Sequence, residues 1–418
     1  MGVTSREAAR ALTHARAEWP EFPLRNPQRG PLYLVSMILP ICVHRTSKAR
    51  WLALLALLAQ GALLASAQSA TTEETVWHNL AALPLEGQGW AATQQHYDRL
   101  PAKAEGVVRA DVWDLSHDST GLRYRFVTDA STLRGRWKLR RADHLALPHM
   151  PATGVSGLDL YLRDGDRWHW VGAGRPTQPG LNEATLASGL KPEKREYLLY
   201  LPLYNGVESV ELGLPVGASF DPAPDRYAGR KPIVFYGTSI VQGGCASRPG
   251  MAHASVLGRM LDWPIVNLGF SGNAKSEPEV AQLLAGLDPS VYVLDSLPNL
   301  SAEEAAERLE PFVKAIRAAR PRTPIVLVEN VTYTDSAYRQ ERLTKVVAVN
   351  SLLKRLFVKL KAGGDTALYY VSGDSLLGHD GEDTVDGTHP TDLGFLRMAE
   401  GMAPVLREAL SPAQNSVR

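Results

Sequence analysis

The residues of this chain that could do chemistry together are a serine, a histidine and an aspartate that lie far apart in the sequence. Ser239 follows the apolar residues 233–235 and Gly237, a pattern that predicts a buried parallel strand ending in a tight turn. A serine hydroxyl is a poor nucleophile at neutral pH, so it needs a base within hydrogen-bond reach. His389 is the candidate base, and Asp386 can bond to the other imidazole nitrogen. This set predicts nucleophilic attack on an acyl carbon.

Such an attack places negative charge on the acyl oxygen, and the sequence offers three donors for that charge. They are the backbone N–H groups of Ser239 and Gly272 and the side-chain amide of Asn299. A backbone amide approaches a substrate most closely where there is no Cβ, which favours Gly272. The loss of one such donor typically lowers the rate about a hundred- to a thousandfold. Each residue alone also fits a structural role in a cap or a turn, and only their joint order favours catalysis.

Two more polar residues are candidates for binding a substrate. Arg248 could hold a substrate hydroxyl or carboxylate, or form an ion pair with a local acid. Glu329 ends a predicted strand and could line a pocket. Asp295 also ends a strand, and we expect a structural role for it as a buried carboxylate. Cys245 is predicted to be a small packing residue.

The sequence predicts no metal and no cofactor. It contains no cysteine cluster, no His-Glu-x-x-His stretch and no nucleotide-binding loop. The whole chain carries 45 basic and 44 acidic residues, and its Arg-rich start makes the remainder slightly acidic. Nothing in this balance favours nucleic acid or an anionic membrane as a partner. Nothing indicates an oligomeric state.

The candidate residues require a parallel sheet to position them. Ligands bind outside the carboxyl ends of the strands in open α/β sheets, so the candidates should meet at one rim. One helix is predicted after Ser301, which has the capping-box spacing with Glu304, and the last helix begins near Thr391. Five apolar runs alternate with helical stretches, the pattern of an α/β fold: residues 233–235, 264–268, 291–294, 325–328 and 368–371.

The upstream half, to residue 215, has the pattern of antiparallel strands. Apolar residues alternate with Arg123 and Arg125, which predicts a strand with one polar face. Asp164-Gly165 and Asn205-Gly206 each separate two such runs, and each predicts a tight hairpin turn. Strands at this spacing, with no helix-length pattern between them, predict a β-sandwich.

The start of the chain resembles a targeting segment rather than folded protein. Met37 is a candidate for the true start in place of Met1, because basic residues, an apolar run and Ala65-Ser66-Ala67 follow it in the order of a secretory signal. The apolar run is short for a membrane span. We expect cleavage after Ala67, export to the periplasm or the outside, and no stable membrane insertion. The predicted division of the chain is 1–67 as misassigned start plus signal peptide, 68–215 as β-sandwich domain, 216–231 as linker, 232–412 as α/β domain, and 413–418 as tail.

The order Ser239, Gly272, Asn299 and then Asp386-x-x-His389 resembles the SGNH or GDSL hydrolase superfamily over residues 231–412. The first block departs from the common Gly-Asp-Ser, because Thr238 precedes the serine. The third block departs too, because no aspartate follows Asn299. The resemblance implies esterase activity, a flavodoxin-like three-layer α/β/α sheet and no cofactor.

The two departures are similar to those of a bacterial subgroup with an N-terminal GxDLY-type β-domain. Residues 157–161 read Gly-Leu-Asp-Leu-Tyr, and residues 244–250 read Gly-Cys-Ala-Ser-Arg-Pro-Gly. This wider resemblance covers most of the chain after residue 67. It implies the following roles: nucleophile, Ser239; base, His389; partner of the base, Asp386; oxyanion donors, Ser239, Gly272 and Asn299.

The leading hypothesis is a secreted serine esterase that removes short acyl groups, acetyl in particular, from a carbohydrate or small-molecule ester. A lipolytic or thioester-cleaving enzyme is the first alternative, and it would need an apolar acyl groove. A non-catalytic carbohydrate-binding protein on the same scaffold is the second alternative. The presence of Ser239, Asp386 and His389 together argues against that last reading.

Overall fold

The structure is a computed structural model, and it describes residues 74–411. The predicted signal peptide and the predicted tail lie outside the described residues. No helix in the described part of the chain is both long and apolar enough to cross a membrane.

The first half of the described chain forms two antiparallel sheets, as predicted. Its elements are β1 (Thr75–Asn79), α1 (Ala110–Leu115), β2 (Arg123–Thr128), β3 (Leu133–Leu139), α2 (Ala152–Val155), β4 (Leu158–Asp164), β5 (Arg167–Gly174), β6 (Leu181–Ala187), β7 (Arg195–Tyr200), β8 (Val207–Pro215) and β9 (Phe220–Pro222). The strand order is β1-β8-β3-β6 in one sheet and β5-β4-β7-β2-β9 in the other.

The two antiparallel sheets share one apolar core, which is the arrangement of a β-sandwich. Trp137 of β3 lies at the centre of this core, and its indole N–H donates to the carbonyl oxygen of Ser156 at 2.9 Å. Leu160 of β4 and Leu212 of β8 pack into the same cluster from opposite sheets. Alternation of apolar and polar residues therefore buries one face of each sheet against the other.

Of the two predicted hairpin turns, one is confirmed and one is wrong. Asp164-Gly165 joins β4 to β5, which pair with each other. Asn205-Gly206 joins β7 to β8, and these strands belong to different sheets. A type I′ hairpin turn needs positive φ at both central residues, and neither residue has it. Asn205 is instead fully buried, and its side chain bonds to the backbone N–H of Arg141 at 2.9 Å.

The polar face of β2 does not contact solvent. Arg123 and Arg125 are both buried, and both pair with Glu86, at 3.2 Å and 2.5 Å. Arg123 also donates to the carbonyl oxygen of Ile265, in the second half of the chain, at 3.2 Å. The polar alternation of this strand thus marks a packed boundary between the two halves.

The stretch 216–231, predicted as a linker, is tied to both halves. It contributes β9, which pairs with β2. Arg226, further along, reaches Glu196 of β7 at 3.3 Å and Asp262 of the second half at 3.3 Å. The connection between the halves is therefore held by a strand and by ion pairs.

The second half is a five-stranded parallel sheet, and the five predicted strands are confirmed to within two residues. They are β10 (Ile233–Gly237), β11 (Ile265–Gly269), β12 (Val291–Asp295), β13 (Ile325–Val328) and β14 (Leu368–Val371). Their order is β11-β10-β12-β13-β14, and all neighbouring pairs are parallel. The chain reverses its direction of travel across the sheet at β10, so a crevice for a ligand is expected at the carboxyl end of that strand.

Helices cover both faces of the parallel sheet and complete three layers. They are α3 (Ser239–Gln242), α4 (His253–Leu261), α5 (Pro278–Ala285), α6 (Ala302–Ala319), α7 (Gln340–Ala362) and α8 (Asp392–Leu410). The buried residues of α4 and α8 cluster with one face, and those of α5, α6 and most of α7 cluster with the other. The predicted capping box is present, because Ser301 and Glu304 each accept the other's backbone N–H, at 3.1 Å and 3.0 Å.

One buried arginine joins the two halves. Arg99 is 1% exposed, and its guanidinium donates to the carbonyl oxygens of Leu115 (2.6 Å), Asp118 (2.8 Å) and Gly269 (2.8 Å). Burial lowers the pKa of Arg99 to about 10, and the charge of buried Asp118 opposes that effect. The end of β11 is therefore held by a side chain from outside the parallel sheet.

We expect the substitution Arg99→Met to lower the free energy of unfolding by about 3 kcal/mol or more, because it leaves the buried carbonyl oxygens of Leu115, Asp118 and Gly269 without their donor and removes a positive charge near the Asp118 carboxylate. The control is Arg134→Met, since Arg134 is 40% exposed in its pair with Glu183, and an exposed pair contributes about 1 kcal/mol or less. Urea unfolding followed by tryptophan fluorescence measures both. Equal losses in the two variants would contradict a special role for the buried charge.

Candidate active site

Ser239 lies at the turn where β10 passes into α3. A Cβ atom on Gly237 would lie 2.3 Å from Cγ2 of Val241 and 2.5 Å from the carbonyl oxygen of Asp295, so only glycine permits this turn. The side chain of Thr238 caps α3 by accepting the N–H of Ile240 at 3.3 Å. The N–H of Ser239 belongs to the first turn of α3, where backbone N–H groups have no acceptor within the helix.

The structure joins the three predicted residues in one series of hydrogen bonds. Oγ of Ser239 lies 2.9 Å from Nε2 of His389, which is 150 residues away in the chain. Nδ1 of His389 lies 2.8 Å from Oδ2 of Asp386. The other carboxylate oxygen, Oδ1, accepts the backbone N–H groups of His389 (2.8 Å) and Thr388 (2.9 Å).

The environment of Asp386 keeps it ionised. Burial by itself would raise its pKa, but the hydrogen bonds from His389 and Thr388 outweigh burial and bring the pKa to about 2. A carboxylate with this pKa is fully charged near neutral pH. It can therefore hold a proton on Nδ1 of His389, which leaves Nε2 able to accept a proton from Ser239.

The loop that carries Asp386 and His389 is anchored by α7, a contact that the sequence did not signal. Arg342 of α7 donates to the carbonyl oxygen of Gly387 at 3.0 Å and to the hydroxyl of Thr388. Arg342 also pairs with Asp335 at 3.0 Å. Gly387 has φ +82°, and a Cβ there would lie 3.0 Å from the Asp335 carboxylate. The loop thus depends on a helix about 45 residues upstream of it.

Gly272 and Asn299 follow β11 and β12, the two neighbours of β10 in the sheet. Gly272 has φ +69° and open space around its Cα. The hydrogen-bonding surroundings of Asn299 fix the orientation of its amide, because the oxygen accepts the backbone N–H groups of Asn273 (3.0 Å) and Ala274 (3.2 Å). This orientation leaves the NH₂ group of Asn299 available as a donor, beside the turn that contains Gly272.

Gln242 connects the helix of Ser239 to the turn of Gly272, a contact that no sequence pattern predicted. Its side-chain oxygen accepts the N–H of Ser271 at 2.8 Å, and its NH₂ group donates to Asp118 at 3.0 Å. Gln242 is fully buried at the end of α3. A polar residue in a four-residue helix carries no sequence signal for such a role.

The structure gives the predicted substrate ligand Arg248 an intramolecular partner. Arg248 pairs with Asp159 at 3.0 Å and also bonds to the hydroxyl of Tyr161. The same carboxylate accepts the N–H of Gly250 at 2.7 Å and the indole N–H of Trp170 at 2.9 Å. The Asp and Tyr of the Gly-x-Asp-Leu-Tyr motif therefore hold the segment that follows α3, and substrate binding by Arg248 stays a prediction.

Glu329 likewise has partners within the chain. Its carboxylate accepts the N–H of Gly373 at 2.8 Å, the hydroxyl of Ser372 at 3.1 Å and the hydroxyl of Tyr370. These bonds join the ends of β13 and β14. A role of Glu329 in lining the pocket stays a prediction.

This geometry defines a class of protein, namely a three-layer α/β protein of the SGNH type with an antiparallel β-part before it. Two family models match the chain: the GDSL-like lipase/acylhydrolase family at residues 230–407, and the GxDLY N-terminus of SGNH-hydrolase-type esterases at residues 75–220. No curated protein matches the chain.

Solved structures of similar proteins extend this result. A candidate GDSL-like lipase from Bacteroides ovatus is 33% identical, with a TM-score of 0.76, and the match covers 81% of this chain and 98% of that one. The chain therefore belongs to the GDSL-like lipase/acylhydrolase family, as an SGNH-type esterase.

Two more distant structures share the fold. The salicylyl-acyltransferase SsfX3 from a tetracycline biosynthetic pathway is 19% identical, with a TM-score of 0.63, over 80% of this chain and 97% of that one. A family two carbohydrate esterase from Cellvibrio japonicus is 14% identical, with a TM-score of 0.51, over 81% of this chain and 98% of that one.

Asp295 ends β12 and is buried beside the turn of Ser239. Its carbonyl oxygen is the atom that a Cβ on Gly237 would meet. Burial raises the pKa of Asp295 to about 7. The folded protein therefore keeps a proton on this carboxyl group up to about pH 7, whereas an unfolded chain releases it near pH 4.

The substitution Asp295→Asn should remove a pH dependence of stability. Between about pH 4 and pH 7 the folded protein binds the Asp295 proton and the unfolded chain does not, so the free energy of unfolding falls as the pH rises. The variant lacks this loss. The difference in free energy of unfolding, variant minus wild type, should increase across this window by up to a few kcal/mol, since each pKa unit corresponds to about 1.4 kcal/mol.

Urea unfolding at about pH 5 and about pH 8 measures this difference. The matched control is Asp166→Asn, which changes an exposed carboxylate at the tip of the β4–β5 hairpin. A difference for Asp295→Asn that is the same at both pH values would show that the carboxyl group is not buried as a neutral acid.

Proposed function

We propose that the chain is an exported serine esterase that removes short acyl groups, acetyl in particular, from carbohydrate esters. The observation that supports its chemistry best is the series of bonds from Ser239 through His389 to Asp386, at 2.9 Å and 2.8 Å. In this proposal Ser239 is the nucleophile, His389 is the base and Asp386 orients the base.

In the first half of the reaction, Oγ of Ser239 forms a bond to the acyl carbon while Nε2 of His389 takes the hydroxyl proton. The ionised Asp386 stabilises the imidazolium that results. His389 then gives the proton to the leaving alcohol as the bond between the acyl carbon and that alcohol breaks. The product is an acyl-serine. A water molecule then attacks the acyl carbon while His389 takes a proton from it, and His389 gives that proton to Oγ of Ser239 as the acyl–serine bond breaks and the acid leaves.

The negative charge of the tetrahedral intermediate needs donors that are in place before the reaction. We assign this role to the N–H groups of Ser239 and Gly272 and to the NH₂ group of Asn299. The buried side chain of Gln242 supports this assignment, because it ties the turn before Gly272 to the helix of Ser239. Donors held in this way need no reorganisation as the charge develops.

The surroundings of the site support a polar substrate. The side chains of His389 and Asp386 are 23% and 40% exposed, so a bulky alcohol portion can reach the rim of the sheet. Polar groups lie next to them: the N–H of Thr388 donates to Asp386 at 2.9 Å, and the ring centroid of His149 lies 5.6 Å from that of His389. The carbohydrate esterase named above shares the fold, which agrees with a sugar ester as substrate.

Other reactions that pass through an acyl-serine are the second candidate. A lipolytic or thioester-cleaving enzyme would use the same acyl-serine, and one structurally similar protein is named a lipase. Transfer to an alcohol instead of water would also use it, as the name of SsfX3 indicates for that protein. The acyl chain and the acceptor distinguish these reactions.

The esterase should hydrolyse p-nitrophenyl acetate far faster than p-nitrophenyl palmitate, because no apolar groove is needed for acetyl. The substitution Ser239→Ala should abolish turnover, and an organophosphate should add to Ser239 as shown by peptide mass spectrometry. Ser188→Ala, at an exposed serine between β6 and β7, is the control. Unchanged turnover in Ser239→Ala would exclude the mechanism. Faster cleavage of the palmitate ester than of the acetate ester would favour a lipolytic enzyme.

The same assay tests the oxyanion donors. Asn299→Ala should lower kcat about a hundred- to a thousandfold with little change in KM, because the donor acts on charge that exists only in the transition state. Asn79→Ala removes an asparagine that caps a remote turn, where it accepts the N–H of Ala81 at 2.9 Å. It should leave kcat unchanged. A raised KM with unchanged kcat in Asn299→Ala would show instead that the amide binds the substrate equally well before and during the reaction.

Export is part of the proposal and rests on residues 37–67, which lie outside the described residues. The order of basic residues, apolar run and small residues supports it. Expression from Met37 in a bacterial host, followed by amino-terminal sequencing of the exported protein, should give Gln68 as the first residue. An uncleaved chain retained in the cytoplasm would contradict export.

A further inference from the structure

Two side chains of metal-binding type lie beside His389 and have no part in the proposed reaction. A ring nitrogen of His149, Sγ of Cys245 and a ring nitrogen of His389 all lie within 4.8 Å of one another. They come from three separate segments, which precede α2, follow α3 and precede α8. Nothing in their sequence spacing indicates a shared site.

His149 is held in place by the turn that carries it. Leu147 and Met150 exchange two backbone hydrogen bonds, both 3.0 Å long, across this turn. Met150 is buried in the core that one face of the parallel sheet forms with α4 and α8. His149 itself is exposed, and its ring centroid lies 5.6 Å from that of His389. An exposed imidazole on an anchored turn is a preorganised ligand.

Cys245 occupies an unusual position for a cysteine. It has φ +76°, and within residues 74–411 only Asp262 and Ser276 share a positive φ among residues other than glycine. This conformation typically costs about 1–2 kcal/mol for a residue with a Cβ. The thiol is free and buried, and a buried thiol is usually inert. Backbone strain of this kind is concentrated at functional sites, which favours a role for the Cys245 side chain.

We propose that His149, Cys245 and His389 bind a divalent cation of the Zn²⁺ type and that this cation inhibits the enzyme. Two imidazoles and a thiolate are the donor set that Zn²⁺ prefers. Zinc bonds of about 2.0–2.3 Å in tetrahedral geometry place neighbouring ligand atoms roughly 3.5 Å apart, so small side-chain rotations bring the three atoms onto one ion. Water takes the fourth position.

The electrostatics of the site favour a cation. The carboxylate of Asp386 lies 2.8 Å from Nδ1 of His389 and supplies negative charge next to the site. When the bond between sulfur and zinc forms, the thiol proton passes to solvent, because a coordinated thiol is deprotonated. The site therefore binds the ion with one thiolate, two neutral imidazoles and a carboxylate nearby.

Inhibition follows whichever nitrogen of His389 binds the ion, and this step rests on the proposed role of His389 as base. If Nε2 binds zinc, its lone pair is no longer available to Ser239. If Nδ1 binds zinc, the ring proton moves to Nε2, which then cannot accept a proton. Because neutral imidazole has one lone pair, either bond removes the base.

The binding test does not depend on activity. Full-length protein and its Ser239→Ala variant should both bind one Zn²⁺ by calorimetry. With Co²⁺ as the probe, both should show the charge-transfer absorption of a cobalt–thiolate bond. His149→Gln and Cys245→Ser should each weaken Zn²⁺ binding at least tenfold, since even loss of a residue behind a ligand lowers metal affinity by about 10–100-fold. His169→Gln, at an exposed histidine of β5, is the matched control and should bind as wild type does.

The activity test uses the same variants. Zn²⁺ should inhibit hydrolysis of p-nitrophenyl acetate, and a chelator should restore it. His149→Gln and Cys245→Ser should keep the basal rate and require at least about ten times more Zn²⁺ for half inhibition. Equal Zn²⁺ sensitivity in wild type and both variants, or a Co²⁺ complex without a thiolate band, would overturn the proposal. Binding without inhibition would overturn the inhibitory role and would also contradict His389 as the base.

Discussion

Two buried charged residues, Arg99 and Asp118, are the constraint on which the rest of this structure depends. Arg99 donates to the carbonyl oxygen of Asp118, and the carboxylate of Asp118 pairs with Arg141 at 3.2 Å. Both residues are 1% exposed, and an uncompensated charge at that depth would destabilise the fold by several kcal/mol. Each therefore needs its partners in fixed positions. Arg99 reaches the carbonyl oxygens at the end of β11, and Asp118 reaches Gln242 of α3 at 3.0 Å. The antiparallel half of the chain is thus part of the scaffold that places the two loops of the proposed active site.

The Gly-x-Asp-Leu-Tyr motif is a second contact by which the antiparallel half positions the segment next to Ser239. Asp159 of β4 accepts the N–H of Gly250 and pairs with Arg248, in the segment that follows the helix of Ser239. Cys245 lies within that segment, and Gly244 lies against the hydroxyl of Tyr204 from the antiparallel half. The position of the proposed nucleophile, Ser239, is accordingly determined by three features: its own strand β10, the buried Asp118 that bonds to Gln242 of α3, and Asp159 of the motif. We regard the N-terminal half as a structural support of the proposed site, in addition to any role in binding a substrate.

The parallel sheet places the remaining candidates by topology. β10 lies between β11 and β12, so the turns that follow these three strands bring Ser239, Gly272 and Asn299 to one rim. The loop with Asp386 and His389 arrives from the far end of the chain and is held by Arg342 of α7. Three strand ends and one anchored loop together produce an arrangement that no single segment could hold. The proposed zinc site uses the same rim, which is why occupancy there would act on the base directly.

The sequence by itself determined features that depend on neighbouring residues. The bounds of β13 and β14, the capping box at Ser301 and the hairpin at Asp164 follow from patterns a few residues long, and the motif order pointed to Ser239, Asp386 and His389. Only the tertiary structure decided which polar groups pair across long distances. Asn205-Gly206 has the composition of a hairpin turn, but Asn205 lies buried in the connection between β7 and β8. Arg248 pairs with Asp159, and His149 lies next to Cys245 and His389. The physical reason is that caps and periodicity act within one or two turns of chain, whereas the partner of a buried polar group depends on which elements pack together.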